Sequence, residues 1–164
     1  MEDDTDIIIT GSNSKMLSSE LGTLIGGRYQ EIYIQSLSYQ EFLLFHGLEE
    51  SDEALWKYLN YGGLPGLMQI GLDDEDLVWD YIKGVYHTVM LKDIVERNSI
   101  RNVAFLNTLL RYFADTIGKL NSLNNISKFM KSQGQDVAVK SIASYLGYFK
   151  DAYLLSTVDR FDIH

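Results

Sequence analysis

Lys140, Ser141 and Ser144 fall close together in one helical stretch, and Lys128 and Lys131 stand three apart in the stretch before it. Lysines neutralise phosphate oxygens, and hydroxyls hydrogen-bond to phosphates or to base edges. This set therefore has the composition of a nucleic-acid contact, with Lys140, Ser141 and Ser144 directed at a groove and Lys128 and Lys131 at backbone phosphates. Recognition helices usually carry several arginines, and residues 139–152 carry none. The same surface read as a protein-interaction module is accordingly the stronger of the two alternatives.

Other chemistry is limited by what the sequence lacks. No Gly-x-x-x-x-Gly-Lys-Ser/Thr loop occurs, so the chain has no ordinary cradle for the phosphates of ATP. No apolar strand ending in paired acids precedes Asp6, which removes the usual Mg²⁺-holding strand. His46, His87 and His164 lie far apart without metal-ligand spacing, so no metal site is expected. Ser12 and Ser14 lack the Gly-x-Ser-x-Gly frame of an exposed nucleophile, and there are no cysteines.

The elements that would position these residues can be read from periodicity. Asp6–Thr10 is a short apolar, largely β-branched run ending at Gly11 that reads as a buried strand, and Glu31–Gln35 reads as a second short strand with Ile32, Tyr33 and Ile34 at its centre. Between them, helical spacing over Met16–Ile25 ends at Gly26-Gly27. Ser38-Tyr39-Gln40-Glu41 has capping-box spacing and opens a helix to about Phe45, stopping near Gly47. A helix over about Ser51–Tyr61 would turn Leu55, Trp56 and Leu59 inward, before a break at Gly62-Gly63-Leu64-Pro65. Residues 74–95 read as one long amphipathic helix with a kink near Gly84. Three helices follow over about Asn102–Ile117, Asn125–Gln133 and Val139–Ala152. Tyr153–Val158 and Phe161–Ile163 then form a ribbon. Three helices and a ribbon are the order of a winged helix-turn-helix.

Charge divides along the chain. Of the net −9, residues 1–80 contribute sixteen acids against three bases, and residues 81–164 eleven bases against seven acids. The second half is thus the part able to attract nucleic acid. No apolar run approaches the ~20 residues that span a bilayer, and the acidic start Met1-Glu2-Asp3-Asp4 is unlike a secretory signal, so a cytoplasmic protein that does not enter membranes is expected.

The run IIITGSNSKMLSSELGTLIGGRYQEIYIQSLSYQEFL resembles the middle of the predicted AAA+ ATPases of bacteria and archaea. The likeness resumes at Tyr61–Pro65, at Asp93–Arg97 with Ile100-Arg101-Asn102, at Ile126-Ser127-Lys128 and at Tyr145–Leu155. It implies a mainly α chain in two parts. Residues 1–66 would be the remnant of an α/β ATPase core, with two short strands and lid helices. Residues 67–164 would be helical and end in a winged helix from about 101. It further implies that the strand ending at Thr10 is a sensor strand whose Ser12 and Asn13 hydrogen-bond the attacking water or the γ-phosphate of ATP. A turn followed by a helix cap is the plainer account of Gly11–Ser14. Arg28 would reach a neighbouring subunit's γ-phosphate, or else pair with Glu20 or Glu31. Gly63 and Pro65 would lie near the adenine, or simply break two helices.

Members of that family carry phosphate-loop and acidic strands before this region and another domain after it. The resemblance thus implies that ATP or ADP with Mg²⁺ belongs to the full-length parent, that no cofactor is expected for this chain alone, and that the chain is a truncated or excised piece whose partner is the missing N-terminal ATPase region. Two short strands with open edges are marginal in water, so a homo-oligomer formed through them is a further expectation.

Overall fold

The computed structural model describes residues 7–11, 28–159 and 161, and within them every regular element is a helix. The mainly α expectation holds, but the two-strand α/β core does not. Ile7–Thr10 and Glu31–Gln35 form no regular secondary structure, with Ile8 87% and Ile34 87% exposed. Neither segment becomes a strand, because a strand needs a neighbouring backbone to satisfy its N–H and C=O groups, and none is aligned with them among the described residues. Tyr153–Val158, expected as the first strand of a ribbon, forms no strand among the described residues; Phe161 is exposed, and Asp162 and Ile163 of the expected second strand lie outside them. The helix expected over Met16–Ile25 also lies outside them.

The chain divides into two compact units, one of residues 29–89 and the other of residues 1–28 with 90–164. In the first, α1 (Tyr39–His46) is fixed at both ends. Ser38 accepts from the Glu41 N–H, the Glu41 carboxylate accepts from the Ser38 N–H at 2.8 Å, and Gly47 closes the helix in the left-handed conformation. α2 (Asp52–Tyr61) starts on the Ser51 hydroxyl, which accepts from Ala54 N–H. A single turn, α3 (Leu67–Ile70), precedes α4 (Glu75–Thr88), capped by Asp74. The core of this unit is Leu37, Phe42, Ala54, Leu67 and Val78. Tyr58 stacks on Phe42 and Tyr39 at ring-centre distances of 5.3 and 5.4 Å, and Tyr61 meets Trp79 edge-on.

The boundaries of α2 agree with the sequence, but its buried face does not. Leu55, Trp56 and Leu59 are 40%, 66% and 65% exposed, while Ala54 is buried and Tyr58 half-buried. The Tyr58 hydroxyl donates to the Leu37 carbonyl at 3.0 Å, and that bond together with the aromatic stack sets the rotation of the helix. The helix α4 runs unbroken through Gly84. The backbone instead changes character at Val89, where a π-helical segment (Val89–Glu96) begins.

In the second unit, that π-helical segment buries Met90 and Ile94. Three helices follow, α5 (Val103–Asp115), α6 (Leu123–Ser132) and α7 (Val139–Asp151), close to the spans read from periodicity. Asn102 and Ser122 cap the first two, each accepting from the N–H three residues on. Phe105, Leu106, Leu109, Phe113, Ile126, Met130, Ile142 and Phe149 make the core. At roughly 2 kcal/mol for each large apolar side chain removed from water, this cluster is the main stabilising element of the unit.

Candidate functional site

The surface with the clearest chemical character lies within the second unit, where the loop after the π-helical segment meets α7. Asn98, Ser99, Ile100 and Arg101 form one wall and Ser141, Ser144, Tyr145 and Tyr148 the other, enclosing an open groove of about 260 Å³. The loop is held from behind. Asn98 donates through both its backbone and side-chain N–H groups to the Ile94 carbonyl, at 3.2 and 2.9 Å, and Ile100 N–H donates to Val95 at 3.0 Å. Ser99 adopts φ 49°, a left-handed conformation that costs a non-glycine residue about 1 kcal/mol or more. Asn102 then caps α5, which leaves Arg101 exposed at the groove.

On the opposite wall, Ile142 and Phe149 anchor α7 in the core. Tyr145 is fixed by ring contacts to Phe105 at 5.2 Å and to Tyr148 at 5.9 Å. Ser141 is half-buried and Ser144 exposed; the Ser144 hydroxyl donates to the Lys140 carbonyl at 3.1 Å, which commits its proton and leaves it an acceptor. Lys140 is exposed on the same turn. The groove is lined by one guanidinium, three serines, two tyrosines, an amide and Ile100, with no carboxylate. Such a set favours an anionic oxygen over a cation.

The structure gathers Ser141 and Ser144 into this groove, while Lys128 and Lys131 sit on α6 and do not line it. Lys128 is exposed, and Lys131 pairs loosely with Asp136 at 4.0 Å. Arg101, Tyr145, Tyr148 and Asn98 were not singled out by sequence reasoning as contacts. The one signal available was the Ile100-Arg101-Asn102 run, in which Arg101 directly precedes a helix cap.

Of the residues tied by resemblance to nucleotide, Ser12 and Asn13 lie outside the described residues. Arg28 is exposed. Gly63 is buried with its backbone closed on Leu37: the Leu37 N–H donates to the Gly63 carbonyl at 2.8 Å, and a Cβ on Gly63 would overlap the Leu37 carbonyl oxygen. Pro65 is exposed. Among the described residues, no group of three or more His, Asp or Glu is placed to hold a metal, and no helix is long and apolar enough to cross a membrane.

Comparison with known proteins places these units in a family context. Residues 1–43 match an AAA domain, and residues 52–164 match the family described as a domain of unknown function, DUF8612. A protein of Haemophilus influenzae described as "Uncharacterized protein" is 33% identical over 163 residues, covering 97% of this chain and 40% of its own length. The "Uncharacterized protein MJ1544" of Methanocaldococcus jannaschii is 35% identical over 172 residues, covering 95% of this chain and 37% of its own length. The chain thus spans about 40% of the length of these relatives. No solved structure matches it. Because one family model covers residues 52–164, well over half of the sequence, this protein belongs to the DUF8612 family, with an AAA-domain match at its N-terminal end.

Proposed function

We propose that this chain is the later part of an AAA-type ATP-binding protein, in which the AAA domain relays the state of bound nucleotide to the helical DUF8612 domain. The observation that carries this reading is the order of the two matches, the AAA domain ending at residue 43 and the helical family beginning at residue 52. The sequence has no phosphate-binding loop, so Mg²⁺ and the phosphates of ATP would be held by polypeptide that the relatives carry outside the matched stretch. When bound, ATP supplies the phosphoanhydride whose presence or loss defines the two states. In this reading Ser12 and Asn13 hydrogen-bond near the γ-phosphate, and the Arg28 guanidinium binds its oxygens through paired N–H donors. With the Gly63 face occupied by Leu37, Pro65 is the member of that turn open to a ligand.

The test uses the full-length Haemophilus influenzae relative. Its segment aligned with residues 52–164 should show different amide hydrogen exchange with ATP, with ADP and without nucleotide, and this chain alone should not turn over ATP. Identical exchange in all three states, or turnover by this chain, would overturn the reading.

A second reading has one observation in its favour, the carboxylate-free groove bearing Arg101 beside the exposed Lys140. The helical domain would then contact a polyanion such as duplex DNA through phosphate oxygens. Binding that weakens steeply with salt supports it. If no duplex binds at low salt, protein contact is what remains for this surface.

A further inference from the structure

Helix α2 is apolar around more of its circumference than its own unit covers. Successive residues turn by about 100°, which places Ala54, Tyr58 and Tyr61 on one stripe and Leu55, Leu59 and Trp56 on a neighbouring arc. The first stripe packs inward on Phe42, Tyr39 and Trp79. The second stands in solvent, and its three side chains expose on the order of 300–400 Å², the size of the largest and often functional patch on an ordinary monomer.

Two observations identify what covers this arc. The first is charge. Residues 29–89 carry eleven acidic side chains against two lysines, and Glu49, Glu50, Asp52 and Glu53 cluster where α2 begins. Helical spacing puts Asp52 on the same side as Leu55 and Trp56. Two copies meeting through this face would bring like charges together, whereas a surface rimmed with lysine or arginine would match them. The second is length. More than half of each relative lies outside the stretch that this chain matches, and the AAA match ends in α1, just before α2.

We infer that the Leu55–Trp56–Leu59 face of α2 is the surface on which the remaining polypeptide of the longer family proteins docks, through an apolar patch with a basic rim. The docking depends on the relatives' additional chain and holds whether or not nucleotide is coupled to the helical domain, so it is tested without nucleotide.

The experiment places a photo-crosslinking benzoylphenylalanine in the full-length Haemophilus influenzae relative at the position aligned with Trp56. After irradiation, mass spectrometry should find it joined, within the same molecule, to sequence outside the matched stretch. A bond to a second molecule, or none, overturns the inference. Hydroxyl-radical footprinting of the unmodified relative keeps the test independent of folding of the variant. Residues aligned with Leu55, Trp56 and Leu59 should be labelled at least several-fold less than in this chain, and equal labelling overturns the inference. Sedimentation of this chain should show a monomer at micromolar concentration. A dimer that dissociates on Leu59→Glu would assign the face to a second copy instead.

Discussion

Replacing Gly63 by alanine isolates the contact that closes the turn after α2 against the segment before α1. The φ of Gly63 is not in the left-handed region, so the missing Cβ is what the site requires. The added carbon would overlap the Leu37 carbonyl oxygen and lie 2.8 Å from Leu37 N and 3.0 Å from its carbonyl carbon. Relief requires a shift of roughly 1 Å to reach ordinary van der Waals separation. Leu37 is tied in both directions, donating to the Gly63 carbonyl at 2.8 Å and accepting from the Tyr58 hydroxyl at 3.0 Å, so the shift breaks at least one of these bonds. Losing a buried backbone hydrogen bond costs about 1–3 kcal/mol and overpacking about as much again. Alanine recovers about 0.4–1 kcal/mol by restricting the unfolded chain. The expected net loss is therefore about 1–5 kcal/mol, centred near 3, and at 3 kcal/mol a fall of roughly 12–24 °C in the midpoint of a unit this size.

Urea unfolding followed by tryptophan fluorescence reads this directly, because both tryptophans of the chain, Trp56 and Trp79, lie in the 29–89 unit. Tyr58→Phe frees the Leu37 carbonyl, so the double variant should lose less than the sum of the single losses, by at least about 0.5 kcal/mol. A loss below about 0.5 kcal/mol for Gly63→Ala would refute the packing account. Gly63 would then be free to act at a ligand, and the same variant would alter ligand binding instead of stability.

Ser38→Ala should destabilise the same unit by about 1 kcal/mol in urea titration, since it removes the N-cap of α1. Hydrogen bonds from the Ser38 backbone and then its side chain hold the Glu41 carboxyl below its ordinary value of 4.5. Its contribution is complete above that pH and lost as pH falls through the lowered value, so Glu41→Gln should flatten the acid limb of the stability curve below about 4.5. Burial lowers the pKa of His46 from 6.5, and its Nε2 is buried without a partner against the Phe42 ring. The unfolded chain therefore takes up a proton first, and stability should decline as pH drops from about 6.5 towards the lowered value; His46→Leu should abolish that slope in thermal melts. If the groove binds a polyanion, Arg101→Ala and Lys140→Glu should each weaken duplex binding several-fold and make the salt dependence shallower, with melting temperature unchanged.

Local signals carried most of the helical architecture. The Ser38 and Glu41 pair, Gly47, Ser51 and Asn102 mark helix ends through bonds made within four residues, so they were readable without knowledge of the fold. The apolar spacing of α5 likewise puts Phe105, Leu106, Leu109, Leu110 and Phe113 on one side, and all but the half-buried Leu110 are buried. What was lost depends on distant partners. Ile7–Ile9 and Ile32–Ile34 have the composition of strands, but pairing is set by another stretch of backbone and not by composition. In α2 the largest apolar residues pointed to one face, whereas the Tyr58 bond to Leu37 and its stack on Phe42 turned another inward. The groove was legible only in part, because Arg101 and Ser141 lie forty residues apart in sequence and meet through the packing of α5 and α7.

The acids at the start of α2 have a colloidal consequence. An uncovered tryptophan-centred patch is an adhesive spot, and Glu49, Glu50, Asp52 and Glu53 flank it as gatekeepers that keep neighbouring molecules apart in dilute solution. That protection has a range of about 8–10 Å at physiological salt and about 3 Å at 1 M. The net charge that adds to this repulsion vanishes at the isoelectric point near 4.7. Mild acid or concentrated salt should therefore turn the Trp56 patch from a selective surface into a site of clumping while each molecule is still folded.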